Sequence, residues 1–129
     1  MKIYSTHDPI YMSLFEINFV HDDSVSFSEK ESEFLKENIE SYTLRKSSLE
    51  ITFYIDALKS ITRICEMMNA MTNISIVLHD KHSMINRTIS LNMNKNCVSD
   101  FEFFQHYGSQ DQVKLKIAMG YYNMQEKVC

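Results

Sequence analysis

Between Leu49 and Asp80 the spacing of apolar residues changes twice, with almost no loop residues at the changes. From Leu49 to Ile55 the period is two. Leu49, Ile51, Phe53 and Ile55 fall on one face and Glu50, Thr52 and Tyr54 on the other, which predicts a half-buried strand. From Ala57 the period lengthens and predicts a helix over 57–71. Its inward face is Leu58, Ile61, Ile64, Cys65, Met68 and Met71, and its solvated face is Lys59, Thr62, Arg63, Glu66 and Asn69, with Asp56 in the N-cap position. On this reading Ile61 and Ile64 are core, and Arg63→Ala is tolerated. Ile74, Ile76 and Leu78 then restore the period of two.

The rest of the chain is mostly strand-like. Residues 10–20 predict a first strand with Phe15, Ile17 and Phe19 on one face, opposite Glu16 and Asn18. Residues 84–93, with Ile85, Ile89, Leu91 and Met93, and 112–121, with Val113, Leu115, Ile117 and Met119 opposite Lys114 and Lys116, predict two more. The segment 28–39 leaves two readings open. One is a short helix with Phe34, Leu35 and Ile39 inward, opened by Ser28 with Glu31 three residues on as a capping box; the other is a solvated loop leading into a strand at 39–44. With only two glycines and one proline, turns must come from the Asn, Asp, Ser and His clusters at 21–26, 79–83, 92–96 and 105–112. The aromatic stretch 98–112 is expected to connect the last two strands. Runs of strands with a helix inserted predict a single α+β domain over 1–129, an antiparallel β-sandwich or barrel with one flanking helix.

Composition narrows the function classes. Residues 1–56 hold 11 acids and 5 bases, residues 57–129 hold 6 acids and 8 bases, and the whole carries a formal charge of −4. An acidic chain without a basic stripe does not grip nucleic acid through its phosphates. No run of about 18 apolar residues and no signal-peptide core is present, so a soluble, non-membrane protein is expected. The three cysteines, Cys65, Cys97 and Cys129, are widely spaced and read as free thiols in a reducing compartment. Gly108 and Gly120 cannot build a nucleotide loop. His79 and His82, like His7, His21 and His106, fall in turn-like segments without carboxylate or thiol ligands at a recognisable spacing, so they read as solvated turns rather than a metal pair. The sequons at Asn73 and Asn86 lack a secretory context. Asp22, Asp23, Glu29, Glu31, Glu33, Glu37 and Glu40 read as a solvated acidic surface rather than catalytic carboxylates, because a general acid needs a pocket that shifts its pKa. No enzyme, cofactor or metal is expected.

Four segments in this order carry a resemblance: LFEINFV at 14–20, LEITFYID at 49–56 with the ALKSITRICEMMNAMTN that follows, NISIVLHDKHSMINRTISLNMNKNCVSDFEF, and QVKLKIAMGYYNM at 112–124. Together they resemble the tail-tube proteins of contractile-tailed bacteriophages, a family similar to the inner-tube proteins of type VI secretion systems. The resemblance implies a structural virion protein, assembled in the host cytoplasm, that forms a ring, a hexamer, with copies of itself. It implies rings stacked into a tube, contacts with other tail, sheath or baseplate proteins, and DNA as a non-specific passenger. In that family the stretch between the opening and central strands carries a long hairpin reaching a neighbouring subunit; here residues 21–48 are short, acidic and free of glycine and proline, which suits a shortened tube protein or a tube-like baseplate or tail-end component. The acids from Asp22 to Glu40 would then line a lumen or interface, where negative charge repels phosphate and keeps DNA mobile. The alternative is a small acidic binding protein, such as a toxin-immunity or anti-defence factor, covering a basic surface on its partner.

Overall fold

A computed structural model describes residues 3–4, 13–55, 60–80, 85–105 and 113–128. The elements run β1 (Ile3–Tyr4), β2 (Ser13–His21), α1 (Glu29–Glu37), β3 (Ile39–Leu44), β4 (Ser48–Ile55), α2 (Ile61–Asn69), β5 (Met71–Asp80), β6 (Ile85–Gln105) and β7 (Val113–Val128). All pairings are antiparallel, in the order β1-β2-β5-β6-β7-β4-β3. The sheet-dominated α+β class stands. The finer expectations change, because the strands form one curled sheet rather than two stacked ones, and two helices accompany it rather than one.

The curl follows from the side chains. The alternating apolar set of β4 is wholly buried, Leu49, Ile51 and Phe53 without exposed surface, and β7 places Leu115, Ile117 and Met119 beside it. From the other half, Ile17, Ile74, Ile76 and Leu91 complete the concave core, which Leu35 of α1 and Ile64, Met67 and Met68 of α2 cover. The rings of Phe15 on β2, next to one end of the sheet, and Tyr42 on β3, at the other end, meet edge-on with centroids 4.9 Å apart, so the curl brings the two margins into side-chain contact. Among the described residues no backbone pair joins β1 to β3.

Of the two readings of 28–39 the helix holds, over Glu29–Glu37, and the solvated loop is overturned. Ser28 and Glu31 make the capping box of α1, and the strand reading holds from Ile39 as β3. α2 is shorter than expected. Ser60 caps it by accepting from the Arg63 N–H at 3.1 Å, while the expected cap, Asp56, lies outside the described residues, as do Leu58, Met84, His7, His82, His106 and Cys129. Met71, expected in the helix, opens β5, because the chain passes from the cap at Ala70 directly into pairing with β2. His21 and His79, expected in turns, are strand residues.

The largest correction lies in the last third. The expected turn at 92–96 and the connection at 98–105 are parts of one strand, β6. Its register breaks between Met93, opposite Tyr121, and Val98, opposite Met119, so Asn94–Cys97 bulge against the single Gly120. Asn96 takes φ 52°, a left-handed value that asparagine tolerates better than most residues. The bulge is pinned to α2: the Val98 N–H donates to Asn69 Oδ1 at 2.8 Å and the Cys97 thiol to the Met68 carbonyl at 3.1 Å.

Candidate interaction surface

The seven acids singled out in the sequence fall into three settings. Asp22 sits in the turn after β2, where the Ser24 hydroxyl and N–H bond its carboxylate and hold its pKa below the ordinary value; Asp23 beside it is exposed. Glu29, Glu33 and Glu37 recur every four residues on α1 and form an exposed stripe along it. Glu31 and Glu40 have internal partners.

Glu31 belongs to a clamp. Arg63 of α2 donates from Nε to Glu31 Oε2 at 2.7 Å, from Nη2 to Glu31 Oε1 at 3.0 Å and to the Ser26 carbonyl at 2.6 Å, and from Nη1 to Glu66 Oε1 at 2.7 Å. These bonds, with Arg63 foremost and the Ser28 N–H next, hold the Glu31 carboxyl down at about 2. The solvated role expected for Arg63 is therefore overturned, because it ties the start of α1 to α2.

Glu40 faces Lys114 across the convex side of the sheet. The Lys114 Nζ lies 3.0 Å from each carboxylate oxygen and 5.5 Å above the Tyr54 ring, with only Oε1 in hydrogen-bonding geometry and Oε2 otherwise unpartnered. Lys116 and Arg45 both pair with Glu50 on the same side. Among the described residues no group of three His, Cys, Asp or Glu could hold a metal, and no helix is long and apolar enough to cross a membrane. The Cys97 thiol is pushed up to about 11 by burial, and Cys65 is raised for the same reason.

The sheet leaves a different surface open. Along β6, β5 reaches only Ile85–Asn92, and along β7, β4 reaches only Val113–Gly120. The two long strands are thus flanked on one half each, and two half-edges have no described neighbouring strand: residues 99–103 of β6 on one side and residues 122–128 of β7 on the other. Both carry exposed apolar side chains, Phe101 and Phe103 at 52 and 50 % on the first, Tyr122, Met124 and Val128 on the second. Phe101 and Phe103 stand opposite Ile117 and Leu115, on the core-facing side of the sheet, yet both remain half-exposed. Beside Phe101 a groove of about 560 Å³ runs between the bulge and α2, with Val25, Ile61, Cys65, Ala70 and Asn96 among its lining. The sequence marked this stretch only as aromatic-rich. Its alternation of phenylalanine with acid was the available signal, but exposure depends on how far β5 reaches along β6.

Comparison of the chain with protein-family models, curated proteins and solved structures returned no match.

Proposed function

We propose that this chain is a structural, self-assembling subunit: it joins copies of itself through sheet edges into rings, hexameric as in the tail-tube family it resembles, that stack into a tail tube or a tube-like baseplate or tail-end component of a phage virion. The observation that carries the reading is the pair of half-edges that lack a neighbouring strand among the described residues and carry exposed aromatic and aliphatic side chains. Monomeric proteins blunt such edges, because unpaired backbone groups beside apolar side chains template further strands. Pairing between subunits removes the liability and builds the wall at once. The stripe of Glu29, Glu33 and Glu37 supplies a negative surface of the kind a DNA passage needs, since it repels phosphate instead of holding it. Other tail, sheath or baseplate proteins would meet the ring's outer faces.

Light scattering and negative-stain microscopy of the purified protein at about 0.15 and about 1 M salt test this. Assembly through backbone bonds and apolar contacts persists as the Debye length falls from about 8 to about 3 Å. A monomer in both salts at high protein concentration refutes it. The same acidic stripe favours a second reading, a small acidic protein that covers a basic partner. A monomer forming a salt-sensitive one-to-one complex is its signature.

A further inference from the structure

We infer that the two half-edges are complementary to each other, so that residues 99–103 of β6 in one copy pair antiparallel with residues 124–128 of β7 in the next. This rests on the self-assembly reading and names its contact. The first argument is shape. The free half of β6 lies toward the β6–β7 connection and the free half of β7 toward the chain's end, on opposite sides of the same two strands. The sheet is therefore stepped, and a second copy displaced diagonally by one step fills the vacant corner of the first with its own projecting strand. In this arrangement β6 and β7 remain antiparallel neighbours, as they are within the subunit.

The second argument is side-chain matching. In the register that sets Asp100 opposite Lys127, Phe103 falls opposite Met124. Asp100 and Glu102 share the convex face with Lys116 and Lys114, whereas Phe101 and Phe103 share the concave face with Ile117 and Leu115; on β7, Lys127 stands opposite Thr88 and Met124 opposite Leu91. Asp100 and Lys127 thus meet on one face, where Glu102 falls opposite Gln125, while on the other Phe101 falls opposite Glu126 and lies diagonally between Met124 and Val128, beside the groove lined by Val25, Ile61 and Cys65. Before pairing, Asp100 Oδ1 accepts the Phe101 N–H at 2.9 Å, which keeps that edge donor satisfied in the free subunit. A self-complementary β6–β6 contact is disfavoured, because it brings Asp100 and Glu102 of both copies together.

Because the contact joins two different edges, each copy offers one of each, and association continues head to tail until a ring closes. Two variants test this. Phe103→Lys blocks the β6 edge and Met124→Lys blocks the β7 edge; both side chains are half-exposed, so circular dichroism and thermal melting should match wild type. Each variant alone should be monomeric by light scattering at concentrations where wild type assembles. Mixed in equal amounts they should form a dimer and nothing larger, since the Phe103→Lys copy retains its β7 edge and the Met124→Lys copy its β6 edge. Asp100→Lys should weaken wild-type assembly, and Lys127→Asp in the same chain should restore it. Wild-type assembly that survives Met124→Lys, or folded variants that fail to dimerise on mixing, would overturn this contact while leaving self-assembly in place. A wild-type chain that never assembles would overturn both.

Discussion

Replacing Glu31 with glutamine removes one charge from the clamp between α1 and α2 while keeping an oxygen that can accept the Ser28 N–H, which lies 3.1 Å from Oε1. Arg63 and the Ser28 N–H lower the carboxyl from 4.5 to about 2. At about 1.36 kcal/mol per pH unit, that fall corresponds to about 3.4 kcal/mol as an upper bound. The carboxylate is 29 % exposed and Arg63 33 %, so solvent screening brings the expected loss to about 1–2 kcal/mol. The folded-state pKa lies below the unfolded one, so the stabilisation is complete above about pH 5 and fades as pH falls through 4.5 toward 2. Urea unfolding at pH 7, 4 and 3 should give a wild-type advantage of about 1–2 kcal/mol at neutrality that shrinks at each step down. An equal difference at all three pH values would show that packing, not the carboxylate's charge, carries the contact. No difference at pH 7 would show that the clamp is only a surface ion pair.

Ile64, 2 % exposed under the sheet, should not accept aspartate. The buried carboxylate costs several kcal/mol against a domain stability of roughly 5–15 kcal/mol, and a cooperative melt like that of wild type would contradict the core placement. Arg63→Ala should lower the melting temperature, contrary to the tolerance expected from its polar helix face, and an unchanged melt would deny the clamp. Asn69→Ala removes the acceptor of the Val98 N–H and should cost about 1–2 kcal/mol, with faster hydrogen exchange at Val98. Exchange unchanged there would mean that the bulge holds itself. Gly120→Ala places a methyl 2.7 Å from Asn94 Nδ2, the movable end of a side chain, so only a small drop in melting temperature is expected, and a large one would mean Asn94 cannot swing away.

Periodicity alone was enough to place β2, β4 and the core of α2, because each of those segments buries one face and the side-chain period of a strand or helix reports that directly. The capping box at Ser28 and Glu31 was equally legible, since both partners lie within one turn. Non-local contacts decided the rest. The stretch Asn92–Asn96 has the composition of a turn, yet it stays in β6 because β7 continues to pair beyond it and α2 supplies the acceptor for Val98. Arg63 looked solvated because its partners, Glu31 and Ser26, are over thirty residues away in sequence. The acidic segment showed as one block in the sequence, but folding divides it: Glu31 and Glu40 turn to internal cations, and Glu29, Glu33 and Glu37 keep to solvent. Phe101 and Phe103 alternate as buried residues do. The short reach of β5 along β6 leaves them half-exposed, because burial is a property of what arrives from elsewhere in the chain and not of the residue's own period.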